Sequence, residues 1–180
     1  IMQYGTAQQQ DRYLPALASG EMLSCFCLTE PHAGSDASTL RSRAERRNGY
    51  YVLHGTKQFV TTGKNADIAL VFARTGPDKG KHGISAFIVP TNHSGYIVAR
   101  VEQKLGQRAS DTCQIVLENI EVPEENRLGK EGEGYRIALA NLESGRIGIA
   151  SQAVGMARSA YEIALKYAQE RKSMGKPIFE

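Results

Sequence analysis

The chain has 180 residues, 41% apolar and 23% charged, the composition of a globular protein in water. Its net charge of +3 comes from scattered basic residues, which argues against a nucleic-acid partner. No apolar run approaches the roughly 20 residues that a membrane helix needs. Ile1-Met2-Gln3-Tyr4-Gly5 has neither the basic start nor the apolar core of a signal peptide, so none is expected.

The first predicted element is helical, Gln8 to Ala18, with Tyr13, Leu14 and Leu17 on one side and Ser19-Gly20 at its end. Pro15 interrupts the pattern, so two short turns are expected rather than one helix. From about Met22 to Leu128 the chain reads as β. Leu23–Leu28 is a short apolar run, and Cys25 and Cys27 are expected on opposite sides of that strand. Leu40–Arg47 and Tyr50–Leu53 flank Asn48-Gly49, a strong signal for a tight hairpin. Phe59–Thr62, Ile68–Arg74, Ile84–Val89, Tyr96–Val101 and Gln114–Leu117 follow as further strands. Pro77-Asp78-Lys79-Gly80 and Asn92-His93-Ser94-Gly95 supply turn chemistry between them. This spacing predicts an antiparallel barrel or sandwich.

The third zone, about Glu133 to Lys172, is helical. Tyr135, Leu139, Leu142, Arg146, Ile149, Ala153, Met156, Ala160, Ile163 and Tyr167 fall on one stripe, and a second apolar stripe runs from Ile147 through Val154 and Tyr161 to Leu165. A helix apolar on two sides is expected to be buried among other helices, and at 1.5 Å per residue this one would be roughly 60 Å long. Nothing else in the chain could cover that surface, so the sequence is expected to be a fragment. The fold class is therefore α+β: a central antiparallel barrel (22–128), flanked by the end of one helical domain (1–21) and the opening of an incomplete helical bundle (129–180).

The three cysteines, Cys25, Cys27 and Cys113, have neither disulfide nor zinc spacing, and the four histidines are dispersed, so no metal site is expected. Unpaired thiols suit a reducing compartment, cytoplasm or organelle interior.

Three stretches could carry chemistry. Arg146 interrupts the apolar stripe, and Glu143 three residues earlier offers a helical ion pair, structural or functional. Thr29-Glu30-Pro31-His32-Ala33-Gly34-Ser35-Asp36 leaves a strand with small residues whose backbone N–H groups could meet a ligand oxygen, or it is a polar turn with capping side chains. In Lys57-Gln58-Phe59-Val60-Thr61-Thr62-Gly63, Phe59 and Thr61 share a strand face where a flat ring could stack near a hydroxyl, although strands commonly contain such residues.

Together with further motifs in order, these stretches resemble the acyl-CoA dehydrogenase family. The resemblance runs from Cys27-Leu28-Thr29-Glu30-Pro31-His32-Ala33-Gly34-Ser35-Asp36 through Gly55-Thr56-Lys57-Gln58-Phe59-Val60-Thr61 and Gly83-Ile84-Ser85-Ala86-Phe87. It continues through Leu105-Gly106-Gln107-Arg108-Ala109-Ser110-Asp111-Thr112, Gly129-Lys130-Glu131-Gly132-Glu133-Gly134 and Gly145-Arg146-Ile147-Gly148-Ile149-Ala150 to Glu170-Arg171-Lys172-Ser173-Met174-Gly175. It covers essentially the whole chain.

The resemblance implies FAD as cofactor and an acyl-CoA thioester as substrate, with a glutamate base taking the α-proton while the β-hydrogen leaves as hydride to the flavin. It implies that Phe26, Cys27, Leu28, Thr29, Gly34 and Ser35 line the flavin, that Phe59 packs on its ring with Val60 beside it, and that Thr61 hydrogen-bonds near N5. Ser35, Glu143 and Arg146 would meet the substrate. Arg171, Lys172 and Ser173 would reach the FAD of a neighbouring subunit, where an arginine fork suits a pyrophosphate. A homotetramer or homodimer, an electron-transfer flavoprotein as acceptor, and a cytoplasmic or mitochondrial-matrix location go with it. Alternatives on the same fold are an acyl-CoA oxidase, a flavin monooxygenase or a non-catalytic binding module. His32, Met174 and Thr39 depart from common family residues without removing a polar contact. A minority of the family carry the base immediately before the conserved arginine. Here that residue is Gly145, so no catalytic base is expected in these residues, and short or medium, straight or α-branched substrates are favoured.

Overall fold

A computed structural model describes residues 1–180, in two compact units, Ile1–Ala138 and Leu139–Glu180. The first unit begins with helix α1 (Ala7–Ser19), where Thr6 and Gln9 form a reciprocal capping box and Gly20 ends the helix at φ +80°. The helix is continuous through Pro15, contrary to the expected break. Proline removes one main-chain bond, but the first turns are held independently. Gln9 Nε2 donates to the carbonyls of Glu125 at 2.7 Å and Arg127 at 3.0 Å, and Tyr13 is buried.

The strands are β1 (Ser24–Cys27), β2 (Arg43–Arg47), β3 (Tyr50–Thr61), β4 (Ile68–Arg74), β5 (Ile84–Pro90), β6 (Tyr96–Val101), β7 (Thr112–Pro123) and β8 (Arg127–Leu128). They form one sheet in the order β6-β7-β3-β2-β4-β5-β8, with β1 on β4. The α+β class stands, and most pairings are antiparallel, but β1 runs parallel to β4 and β2 meets β4 in a parallel bridge at Arg43–Arg74. The hairpin turns at Asn48-Gly49 as expected, with Arg47 opposite Tyr50 and Gly49 at φ +83°.

β3 differs from its reading as two strands. It pairs with β7 along its whole length, and register shifts take up the irregularities. Between Lys57–Ile115 and Val60–Cys113 one extra residue lies on β3, which is a bulge. Pro77–Gly83, read as turn chemistry, is two short 3-10 turns broken at Gly80.

The sheet has a core on each side. Along β4, Ala69, Val71 and Ala73 enter one cluster with Phe87, Ile115 and Leu117. Ile68 and Phe72 enter the other with Tyr13, Ile84, Ile88, Ile137 and Ala138. Burial on both faces explains why β4 and β5 read as continuous apolar runs. Each fully buried side chain of the size of Phe72 or Phe87 contributes about 1.5–3 kcal/mol relative to exposure. Cys25 and Cys27 lie in the same cluster with their sulfurs 3.7 Å apart, not on opposite sides as expected, because residues two apart on a strand share a face.

Helix α2 (Gly134–Glu170) starts in the first unit, with Gly134, Ile137 and Ala138 buried. Gly134 needs to be glycine: a Cβ would lie 2.6 Å from the Ser85 carbonyl carbon. In the second unit the apolar side chains of α2 are exposed, including Ile147, Ile149, Val154, Met156, Tyr161, Ile163 and Tyr167. The two stripes are largely uncovered within these residues, in line with the expectation that nothing else in the chain could cover that surface. After α2 comes a small antiparallel hairpin, β9 (Lys172–Ser173) with β10 (Lys176–Pro177), turning through Met174 and Gly175 at φ +51° and +82°. No helix is long and apolar enough to cross a membrane.

Candidate functional site

The site is built on the bulge of β3. Lys57 and Val60 are both buried, so the two residues between them break the alternation. Phe59 adopts φ +55°, a conformation that costs a non-glycine residue energy, and the residue is left 64% exposed. Exposed aromatic surface held by a strained backbone points to a contact surface. Thr61 is also exposed and spends its hydroxyl on no protein partner.

The loop after β1 is joined to this strand. Gln58 N–H donates to the Thr29 carbonyl at 2.8 Å, one residue before Phe59. Within the loop, Glu30 and Ala33 exchange backbone hydrogen bonds of 2.9 and 3.1 Å, closing a tight turn that leaves Gly34 and Ser35 exposed. The N–H groups of Gly34 and Ser35 and the hydroxyls of Thr29 and Ser35 have no protein partner. A Cβ at Gly34 would meet nothing within 4 Å. Unspent donors beside an exposed ring suit a flat, polar-edged cofactor such as FAD. Of the other residues predicted to line it, Phe26 is half-buried with its ring 4.8 Å from that of Phe72. Cys27, Leu28 and Val60 are buried in the two cores, so any ligand contact they make is through main chain.

Under the loop lies a feature that the sequence reading passed over. Lys57 is fully buried, and its ammonium donates to Glu30 Oε1 at 2.8 Å, the Phe72 carbonyl at 2.6 Å and the Leu28 carbonyl at 3.2 Å. Glu30 also accepts from the N–H of Arg41 at 2.6 Å and of Ser42 at 3.0 Å. Burial pushes the Glu30 carboxyl up, but Lys57 and the N–H donors outweigh it and hold it below its ordinary value. Burial pushes Lys57 down, offset in part by Glu30. Three acceptors around the nitrogen fit an ammonium and leave no donor for a neutral amine. The only local signal was a charge at a buried position of β3.

The remaining candidates lie in the second unit. Glu143 and Arg146 are exposed on α2 and form no ion pair with each other. Arg146 lines an open apolar groove with Leu142, Gly145, Ile149 and Ala153. Arg171, Lys172 and Ser173 are exposed where α2 passes into the small hairpin, which the Ile178 N–H ties back to the Arg171 carbonyl at 2.9 Å.

Comparison with known proteins gives these features a family. The description "Acyl-CoA dehydrogenase, middle domain" matches residues 25–120, and "Acyl-CoA dehydrogenase, C-terminal domain" matches residues 132–180. An acyl-CoA dehydrogenase of Bacillus subtilis is 53% identical over 178 residues, covering 99% of this chain and 47% of the relative. The butyryl-CoA dehydrogenase structure from Megasphaera elsdenii superposes with a TM-score of 0.94 at 43% identity, over 98% of this chain and 46% of that one. A glutaryl-CoA dehydrogenase from Mycobacterium smegmatis in complex with FADH2 gives 0.90 at 38% identity, over 98% and 44%. The chain thus spans about half the length of the relatives it matches. With the motifs, the sheet and these matches in agreement, the chain belongs to the acyl-CoA dehydrogenase family.

Proposed function

We propose that residues 1–180 form the cofactor-facing part of an FAD-dependent enzyme that introduces an α,β double bond into an acyl-CoA thioester. The observation that carries this is Phe59, exposed on a strained bulge beside the unpartnered Thr61 hydroxyl, with the free donors of Gly34 and Ser35 on the adjoining loop. Bound FAD supplies the electron sink that no side chain can provide. The protein's share is orientation: Phe59 offers a stacking face, while Thr29, Ser35 and Thr61 offer hydrogen bonds. Glu143 and Arg146 lie toward the thioester arm, Ser35 approaches the CoA moiety, and Arg171, Lys172 and Ser173 reach the pyrophosphate of a neighbouring subunit's FAD.

The proton acceptor is assigned outside these residues. Gly145 has no side chain, and Glu143, two positions away, is turned by roughly 200° around the helix. On this proposal the enzyme is a homodimer or homotetramer that passes electrons to an electron-transfer flavoprotein, in a cytoplasm or mitochondrial matrix. The test supplies the 180-residue chain with FAD, a panel of acyl-CoA thioesters and an artificial electron acceptor, alongside a longer form of the protein. The longer form is expected to turn over and the 180-residue chain is not. Turnover by the chain that vanishes in Glu143→Gln would show that the base lies within it.

A further inference from the structure

We infer that the buried Lys57–Glu30 pair is a positioning device that holds the two halves of the flavin-facing surface in register, so that Lys57 governs flavin binding without touching the flavin. This rests on the FAD reading above. Neither residue is on the exposed surface: the Lys57 side chain is 0% exposed and that of Glu30 is 2%.

What the pair joins is specific. From β3, Lys57 reaches the Leu28 carbonyl where the loop begins, the Glu30 carboxylate within the loop, and the Phe72 carbonyl on β4. Glu30 in turn gathers the Arg41 and Ser42 N–H groups just before β2. Four stretches of backbone therefore meet at one charge pair. Lys57–Ile115 is also the last regular pairing of β3 before the bulge that presents Phe59. On the loop side, Glu30 closes the turn with Ala33, after which come the unspent donors of Gly34 and Ser35. Any shift of Lys57 against Glu30 moves the ring-bearing strand against the donor-bearing loop.

Stability alone does not call for a charge pair here. Two buried ions lose hydration, and well-packed apolar residues of similar volume commonly stabilise a fold as well or better. What apolar packing lacks is direction. An ammonium with three acceptors at 2.6–3.2 Å fixes the orientation of two carbonyls and a carboxylate together. A cofactor held mainly by loop donors and one stacked ring needs that precision more than the core does.

The experiment compares the FAD-loaded protein as wild type, Lys57→Met, Glu30→Gln, the double variant of these two, and Phe87→Leu as a core control. FAD dissociation, the visible flavin band, the flavin reduction potential and Tm are measured for each. Lys57→Met is expected to weaken FAD binding by about tenfold or more and to shift the flavin band and potential. It leaves the buried Glu30 carboxylate without its lysine, so Tm falls as well. The double variant removes both charges and regains much of the Tm, yet its FAD binding stays weak. Phe87→Leu lowers Tm and keeps FAD affinity within about twofold of wild type. Recovery of FAD affinity along with Tm in the double variant would overturn the inference, as would loss of FAD in Phe87→Leu in proportion to its Tm. If Lys57→Met does not fold, wild-type affinity and an unchanged flavin band in both Glu30→Gln and the double variant overturn it equally. A wild type that binds no FAD defeats the flavin reading itself, and this inference with it, before any variant is compared.

Discussion

Gly55 passes Ser42 so closely that a Cβ on residue 55 would sit 2.2 Å from the Ser42 hydroxyl oxygen and 2.8 Å from its Cα. The backbone of Gly55 is also at φ +154°, where other residues are strained. Gly55 lies on β3 opposite Leu117, immediately after a register shift, and the Ser42 N–H is one of the donors to Glu30. Gly55→Ala is therefore expected to destabilise the first unit by about 3 kcal/mol or more, from overpacking and backbone strain together. Urea denaturation followed by circular dichroism measures it, and a loss below about 1 kcal/mol would show that the strands can separate freely at this point.

Gln9 should matter more than an ordinary surface glutamine. Its side-chain amide donates to two carbonyls more than a hundred positions away, while its oxygen accepts from the Thr6 N–H at 3.0 Å. Gln9→Leu keeps the volume and abandons all three bonds, leaving part-buried carbonyls unpaired. The expected cost is about 2–4 kcal/mol, read as a lower denaturation midpoint with an unchanged slope. A change within about 0.5 kcal/mol would mean that water replaces the amide at no cost.

Acid should unfold the first unit partly through Glu30. Its carboxyl is held below the ordinary value of 4.5 in the folded chain. Between the two values the unfolded chain binds more protons, so stability rises with pH across that window. The contribution is complete above about pH 4.5 and is lost as the pH falls through the lower, folded value. Asp111 and Glu133 are also held low, so the measurement is a difference: wild type minus Glu30→Gln, by urea midpoint at several pH values. The difference should shrink as the pH drops below that point. A difference independent of pH would mean that Glu30 is not ionised in the fold.

The 180-residue chain should associate. Ile147, Ile149, Val154, Met156, Tyr161 and Ile163 are each more than 60% exposed along α2, a contiguous apolar surface of the kind that marks an interface. Sedimentation at micromolar concentration is expected to show oligomers or aggregates. Replacing Ile147, Val154 and Tyr161 by glutamate should give a monomer. A wild-type chain that sediments as a clean monomer contradicts the expectation.

Features set by neighbours in sequence were legible. The hairpin at Asn48-Gly49 and the limits of Ile68–Arg74 and Tyr96–Val101 match the strands, because turn chemistry and residue period act within a few positions. The length of α2 was legible for the same reason, since a helical pattern repeats along its own axis. The motifs that mark the family were also present as local words, from Thr29–Asp36 to Glu170–Gly175.

What distant residues decide was not. Pro15 stays helical because Gln9 and Tyr13 are fastened to parts of the fold far along the chain. β3 is one strand because β7 pairs with both of its halves and absorbs the misfit in bulges. The sequence by itself determined the residue types offered at the candidate site: an aromatic, a threonine, a glycine-serine loop. Only the tertiary structure decided that Phe59 is pushed outward at positive φ, and that Lys57 and Glu30, 27 positions apart, meet beneath it. A buried ion pair forms only when the fold excludes water from both partners at once, and that exclusion is a property of the assembled sheet rather than of either segment.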